Sequence, residues 1–123
     1  DLSDCLDLAP VMFALAACYG GALFTGTHRL KDKESDRAFA MAAELKKFGI
    51  DCVINENSVQ INGGTLSTPT ETICSHNDHR IVMALSLLLS KTGGYMEGAQ
   101  AIEKSYPDFF NDYAALGGIL NVQ

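Results

Sequence analysis

Two apolar segments dominate the pattern of hydrophobic and polar positions along the chain. Residues 8–19 are apolar nearly all round, residues 78–90 are strongly apolar, and a pair of glycines follows each segment. Asp7 and Asp78 stand where N-cap residues would stand. Pro10 fits the first turn of a helix, and glycine commonly ends one. The pattern therefore predicts two buried helices, each entered through an aspartate.

Shorter elements lie between and after these two segments. Apolar side chains recur every three or four positions from residue 38, which predicts a helix over 33–48. Residues 55–57 separate two β-like runs and predict a hairpin. Pro107 can occupy the first turn of a last helix that ends near Leu116. Short strands are predicted at 22–27, 51–54, 58–61, 70–75 and 95–97.

The two halves of the chain repeat the same order of elements. Asp78 follows Asp7 by 71 positions, and Lys104 follows Lys33 by the same distance. Each aspartate precedes an apolar helix, a glycine pair and a short strand. This repetition predicts an internal duplication, with stacked α/β units that share one core.

Composition restricts the class of protein. The chain has 123 residues, 47% of them apolar and 20% charged, which fits one globular domain and excludes disorder. No apolar run is long enough to cross a membrane, and no secretory leader is visible. The first residue is not Met, so we expect a piece of a longer chain.

The four cysteines are widely spaced, which favours reduced thiols in a cytoplasmic protein over a disulfide framework. His76 and His79 lack further ligands at the spacing that zinc requires, so no metal is predicted.

The charges suggest a small anion as ligand. The net charge of −6 argues against nucleic acid or an anionic membrane as partner. Four of the nine cations nevertheless fall within nine residues: Arg29, Lys31, Lys33 and Arg37. A solvated basic helix start is the alternative explanation for this cluster.

Cations at predicted helix starts strengthen the anion hypothesis. The helix dipole disfavours Lys33 at an N-terminus unless an anion binds there, although Glu34 and Asp36 could satisfy the dipole instead. Arg80, in the first turn of an apolar helix, requires a carboxylate or a phosphate, and spacing alone favours a structural ion pair. Spacing alone also favours a capping role for Asp7.

These residues carry a resemblance to a known family. The chain resembles the C-terminal part of 5-enolpyruvylshikimate-3-phosphate synthases over essentially all of its length. The opening Asp7-Leu8-Ala9-Pro10 run is similar to that family's segment, and three further motifs occur in the family's order and spacing: Lys33-Glu34-Ser35-Asp36-Arg37, Asn77-Asp78-His79-Arg80-Ile81 and Ser105-Tyr106-Pro107-Asp108-Phe109-Phe110.

The resemblance implies an α/β (α+β) fold of repeated βαβαββ units. The chain would hold about two of the three units of one lobe, with unit one over about 1–69 and unit two over about 70–123. The implied reaction transfers the enolpyruvyl group of phosphoenolpyruvate to the 5-hydroxyl of shikimate 3-phosphate and releases phosphate. It needs no cofactor, and the missing N-terminal lobe of the same chain would complete the site.

The resemblance also implies individual roles. Asp7 matches a carboxylate near the 5-hydroxyl of shikimate 3-phosphate and is a candidate base. Glu34 matches a carboxylate near the phosphoenolpyruvate methylene and is a candidate proton donor and acceptor. Lys33 matches a contact to shikimate 3-phosphate. The cations that hold phosphoenolpyruvate match Arg37, Arg80 and Lys104. Arg29 stands where some members have an asparagine, so it is given no role.

Two alternatives to this function remain open. The sister transferase that uses UDP-N-acetylglucosamine shares the fold, although the run from Lys33 to Arg37 favours the shikimate enzyme. The chain could also be a non-catalytic anion-binding fragment, and by itself it is expected to be inactive.

Overall fold

Residues 1–118 contain four α-helices and five short strands. The structure, a computed structural model, describes residues 1–118 apart from the side chain of Lys104. The helices are α1 (Ala9–Cys18), α2 (Arg37–Lys47), α3 (His79–Thr92) and α4 (Phe109–Ala115). The strands are β1 (Gly21–Thr25), β2 (Cys52–Ile54), β3 (Ser58–Asn62), β4 (Ile73–Cys74) and β5 (Met96–Glu97). Three 3₁₀ helices complete the order, at Leu6–Leu8, His28–Asp32 and Ala99–Lys104.

The strands form two small sheets. The first sheet has the order β1-β3-β2 with antiparallel neighbours, and Phe24 pairs with Val59 while Ile54 pairs with Val59 from the other side. The second sheet pairs β4 with β5 in parallel, as expected when a helix connects them. The predicted hairpin is confirmed, and the fold class predicted from the sequence, α/β (α+β), is confirmed as well.

One core connects both halves of the described chain. Helix α1 packs against α3, and both also contact α2. The largest apolar cluster joins side chains from these three helices and both sheets, including Phe13, Phe48, Ile61, Ile73 and Leu85. The prediction that the two halves share a core is therefore confirmed.

Helix α1 departs from the sequence prediction in its burial. Phe13 and Ala17 lie in the core, but Leu8, Met12 and Leu15 are substantially exposed on the opposite side. A helix that is apolar all round predicts burial on every side. Within residues 1–118, only part of that surface is covered.

Two helices begin later than predicted. Helix α2 begins at Arg37 because the Asp36 side chain accepts a hydrogen bond from the backbone N–H of Phe39, at 3.2 Å, and so caps the helix. Residues 33–36 are therefore outside it. Helix α4 begins at Phe109, so Pro107 precedes its first turn. Helix α3 follows the prediction, with Asp78 as its N-cap and Gly93 after its last residue.

Two further sequence expectations concern sulfur and membranes. All four cysteines are free thiols. None of the helices in the described part of the chain is long and apolar enough to span a lipid bilayer.

Gly21 permits the close approach of the chain at the start of β1. Its φ is +90°, and a Cβ at this position would come within 2.6 Å of the backbone nitrogen of Gly63 and closer still to the Ile61 carbonyl oxygen. The neighbouring Gly20 has a similar φ of +99° but open space around it. The two positions therefore share a backbone conformation and differ in crowding.

We expect Gly21→Ala to destabilise the chain more than Gly20→Ala does. The left-handed backbone costs each alanine about 1–2 kcal/mol. The collision with β3 should bring the Gly21→Ala loss to about 3 kcal/mol or more. Urea denaturation of both variants measures the difference, and equal losses would contradict the importance of crowding.

Candidate functional site

A buried arginine forms the centre of the candidate site. The side chain of Arg37, at the first position of α2, is 1% exposed. Its Nε donates to Asp78 Oδ2 at 2.9 Å, and its Nη2 donates to Asp78 Oδ1 at 3.2 Å. This two-pronged arrangement is the geometry in which a guanidinium binds a carboxylate best. It joins the N-terminus of α2 to the N-terminus of α3.

Asp78 has a second set of partners. It is fully buried, and it accepts hydrogen bonds from the Ser35 hydroxyl at 2.8 Å and the Arg80 backbone N–H at 3.0 Å. Burial by itself would raise the pKa of this carboxyl, but the bonds from Arg37 and Ser35 outweigh burial and lower the pKa. Asp78 is therefore ionised at neutral pH. The capping role predicted for it is confirmed.

Asp7 is positioned by Arg37 and does not cap a helix. Leu8 occupies the N-cap position of α1, and no side chain caps that helix. The Asp7 carboxylate is 58% exposed and accepts a hydrogen bond from Arg37 Nη1 at 2.9 Å. This bond, with smaller contributions from Arg80 and Lys33, lowers the pKa of Asp7. The capping role that spacing favoured for Asp7 is therefore wrong.

Glu34 and Lys33 lie in the segment that precedes α2. Glu34 Oε2 accepts from Arg37 Nη2 at 2.6 Å, and Lys33 Nζ lies 4.0 Å from Asp7 Oδ1. Because the helix begins at Arg37, the predicted conflict between Lys33 and the helix dipole does not arise. The residues still converge, since the guanidinium contacts both Asp7 and Glu34.

Arg80 lies at the edge of this group with its hydrogen-bonding capacity largely unused. Its Nη2 lies 3.9 Å from Asp7 Oδ2, beyond hydrogen-bonding distance. The ion pair that spacing favoured is therefore present, with Asp7 as the acid, but it is a long contact without a hydrogen bond. Nε of Arg80 is buried without a hydrogen-bond partner among residues 1–118. Buried polar groups normally have a hydrogen-bond partner, so this N–H is a candidate donor to a ligand.

An open cleft adjoins these side chains. Its volume is about 420 Å³, and its lining includes Asp7, Lys33 and Arg29. Two cations and two carboxylates, those of Asp4 and Asp7, thus face the same space. A ligand with both an anionic group and a hydroxyl would suit this lining, because lysine and arginine attract the anion and a carboxylate accepts from the hydroxyl.

Lys104 ends the 3₁₀ helix Ala99–Lys104, and its side chain lies outside the described residues. Its predicted role stays a prediction. The Ser75 hydroxyl donates to the Gly98 carbonyl at 2.8 Å, which connects the start of that helix to the segment before α3.

Carboxylate and imidazole groups of Glu34, Asp78 and His79 come within 4.8 Å of one another. Both oxygens of Asp78, however, accept from Arg37, and Glu34 does as well. The guanidinium already provides the positive charge that balances these carboxylates. The cluster is best described as an arginine–carboxylate network.

The sequence did not indicate two features of this network. The Ser35 hydroxyl on Asp78 and the ion pair between Arg37 and Asp78 join positions more than 40 residues apart. The sequence held one signal of this network, because the repeat makes Asp78 equivalent to Asp7. Arg37 in fact binds both repeat-related aspartates.

The fold and the site together define an α/β protein in which α2 and α3 begin beside a cluster of cations and carboxylates. Comparison with known proteins gives the family. Residues 1–113 match the family model for EPSP synthase (3-phosphoshikimate 1-carboxyvinyltransferase). The chain belongs to the EPSP synthase family.

Sequence relatives and solved structures agree with this assignment. The 3-phosphoshikimate 1-carboxyvinyltransferase of Clostridium kluyveri is 40% identical over 121 residues, and that of Methanocella arvoryzae is 36% identical over 125. These alignments cover 96% and 99% of this chain but only 28% and 29% of the relatives. EPSP synthase from Acinetobacter baumannii superposes with a TM-score of 0.86 at 33% identity, covering 96% of this chain and 28% of the other.

These comparisons confirm the resemblance and the fold of the family. They also show that the chain spans little more than a quarter of the length of its relatives. The individual roles of Asp7, Lys33, Glu34, Arg37, Arg80 and Lys104 stay predictions.

We expect Asp78→Ala to destabilise the chain by about 3–5 kcal/mol, because it leaves the buried guanidinium of Arg37 without its main partner. Asp51→Ala, which truncates an exposed aspartate in the loop before β2, is the matched control and should change stability by less than about 0.5 kcal/mol. Urea denaturation at neutral pH measures both. Similar effects of the two substitutions would contradict a central role for the ion pair.

The same ion pair predicts a pH dependence. Because folding lowers the pKa of Asp78, the unfolded chain binds its proton more readily than the folded chain does. The stabilisation is complete above the ordinary aspartate pKa of about 4 and is lost as the pH falls through the lowered value. Stability curves between pH 7 and pH 2 should fall less steeply for Asp78→Asn than for the unsubstituted chain. Parallel curves would exclude this contribution.

Proposed function

We propose that the full-length parent transfers the enolpyruvyl group of phosphoenolpyruvate to the 5-hydroxyl of shikimate 3-phosphate and releases phosphate. The observation that carries the proposal is the convergence of Arg37 and Arg80 with two partly exposed carboxylates, Asp7 and Glu34. The proposed anion-binding groups thus lie within 3.9 Å of the proposed proton-transfer groups. The residues of the missing lobe complete the site.

The cations bind phosphoenolpyruvate. Arg80 offers a guanidinium with a buried Nε–H that no described residue satisfies, and Arg37 offers Nη atoms that contact Asp7 and Glu34. Lys104 is the third cation. Together they hold the carboxylate and phosphate groups, and they offset the charge that grows on the phosphate as it leaves.

Lys33 and Asp7 bind the acceptor. Lys33 contacts the phosphate of shikimate 3-phosphate, and Asp7 accepts a hydrogen bond from the 5-hydroxyl in the cleft that both residues line. Their 4.0 Å separation lets one ligand reach both groups. The acceptor is thereby oriented with its nucleophilic oxygen at the carboxylate.

The two carboxylates divide the proton transfers. The hydroxyl oxygen adds to the central carbon of phosphoenolpyruvate, while one proton leaves that oxygen and another reaches the methylene carbon. Asp7 removes the first proton, and Glu34, after taking up a proton from solvent, delivers the second. Phosphate then departs, and a proton lost from the new methyl group restores the double bond. Glu34 accepts that proton.

Through the guanidinium of Arg37, binding of phosphoenolpyruvate changes the basicity of Asp7. The hydrogen bond from Arg37 lowers the pKa of Asp7. A phosphoenolpyruvate carboxylate that binds Arg37 competes with Asp7 for the same donor. Asp7 then becomes a stronger base when the second substrate is present, which favours removal of the hydroxyl proton.

The organisation of the parent follows the repeat. The chain contributes two βαβαββ-type units, with unit one over about 1–69 and unit two over about 70–123. Each of the two sheets lies within one of these units, which supports the division. The parent is a cytoplasmic enzyme whose partners are small-molecule substrates and its own N-terminal lobe.

Phosphate release from phosphoenolpyruvate by the full-length parent tests the function. We expect release only when shikimate 3-phosphate is present. Release that requires UDP-N-acetylglucosamine instead would assign the parent to the sister reaction. No release with either acceptor would reject the enzymatic proposal and favour the anion-binding alternative.

The proposed roles of the carboxylates predict a separation of turnover from binding. In the full-length parent, Glu34→Gln and Asp7→Asn should each lower kcat by about two orders of magnitude or more, with KM values changing much less. Glu56→Gln in the hairpin turn and Asp51→Asn before β2 are exposed, charge-matched controls that should retain turnover. Near-normal turnover in Glu34→Gln or Asp7→Asn would remove that residue from the mechanism.

The 123-residue chain alone should show no turnover, because it carries only part of the site. The assay is the same phosphate-release measurement with both substrates at high concentration. The full-length parent is the positive control. Turnover by the isolated chain would show that the described residues suffice.

A further inference from the structure

A second buried polar cluster lies on the face of α2 that carries Arg37. Glu44 follows Arg37 by seven positions, two turns along the helix, and is 2% exposed. Its Oε1 accepts from Lys47 Nζ at 2.9 Å and from the Cys74 backbone N–H at 2.7 Å. Its Oε2 lies 2.8 Å from His76 Nε2.

Glu44 is ionised at neutral pH. Burial by itself would raise its pKa, but the hydrogen bonds from Lys47, Cys74 and His76 outweigh burial and lower the pKa. Nε2 of His76 therefore carries the hydrogen and donates it to the carboxylate. One buried carboxylate thus holds two points of the segment that precedes α3.

That segment has a strained backbone. His76 and Asn77 have φ values of 53° and 55°, a left-handed conformation that non-glycine residues rarely adopt. Such residues persist where surrounding contacts hold them. Further contacts come from Ser75, whose hydroxyl accepts from the Asn77 N–H at 3.1 Å, and from Glu44 through His76.

The strained turn places the carboxylate of Asp78 beside the guanidinium of Arg37. Asp78 follows Asn77 directly, caps α3 and binds the guanidinium. Helix α2 therefore contacts the segment from Cys74 to Asp78 at both ends: Glu44 holds its beginning and Arg37 holds its end. Displacement of the first contact would move the partner of the second.

We propose that Glu44, acting through His76, is a positioning residue for the anion-binding guanidinium of Arg37. The proposal rests on the function proposed above, in which Arg37 binds phosphoenolpyruvate. Glu44 itself touches no substrate. Its effect passes along the left-handed turn to Asp78 and from Asp78 to Arg37.

Steady-state kinetics of the full-length parent test the proposal. Glu44→Gln should raise the KM for phosphoenolpyruvate about tenfold and change kcat less. His76→Asn tolerates the left-handed backbone but is too short to reach Glu44, so it should produce the same shift and serves if Glu44→Gln fails to fold. Val59→Ala, which truncates a buried side chain in β3, is the control for general destabilisation and should leave that KM unchanged.

A double-mutant cycle separates positioning from structural support. If Glu44 acts through Arg37, Glu44→Gln should cost much less affinity for phosphoenolpyruvate in an Arg37→Lys background than in the unsubstituted enzyme. Val59→Ala should combine additively with Arg37→Lys. Loss of stability with an unchanged KM, or an additive cycle for Glu44, would overturn the proposal.

Hydrogen exchange of the same full-length proteins gives a readout that does not depend on activity. The Arg80 backbone N–H donates to Asp78, so its exchange rate reports on the position of that carboxylate. Peptides covering residues 78–82 should exchange faster in Glu44→Gln than in Val59→Ala. If the parent releases no phosphate with either acceptor, faster exchange still supports the positioning of Asp78, and equal exchange rejects it.

Discussion

The buried ion pair between Arg37 and Asp78 is the constraint on which the rest of the structure depends. A guanidinium removed from water is stable only when carboxylates and hydrogen bonds replace the lost hydration. Asp78 provides this compensation at the N-cap of α3, and Arg37 occupies the first position of α2. The two helices must therefore begin beside one another. Their N-termini, with the carboxylates around them, form one side of the candidate site.

The two aspartates related by the sequence repeat bind the same arginine in different environments. Asp7 and Asp78 are equivalent by sequence offset, and both accept hydrogen bonds from Arg37. Their environments differ, because Asp78 is fully buried and also caps a helix, whereas Asp7 is mostly exposed and caps none. Asp78 is buried and both of its oxygens accept hydrogen bonds, so its role is structural. Asp7 is exposed at the cleft and is accessible to a ligand there.

The segment between β4 and α3 connects the core to this site through hydrogen bonds. Glu44 anchors it from α2, and Ser75 connects it to the Gly98 carbonyl ahead of the 3₁₀ helix that ends at Lys104. A few hydrogen bonds around one strained turn thus connect α2, the start of α3 and this 3₁₀ helix. Left-handed non-glycine residues of this kind persist only where surrounding contacts hold them in place.

The sequence by itself determined the order of the elements, the hairpin around residues 55–57, the capping role of Asp78 and the family. Apolar periodicity, turn residues and caps are local, so they can be recognised without the fold. The partners of Asp7, Arg37 and Glu44 were decided only by the tertiary structure. Contacts across 30 or more positions depend on how helices pack, and spacing along the chain does not encode that packing. For the same reason local spacing assigned Asp7 to a helix cap, whereas the fold places it against Arg37.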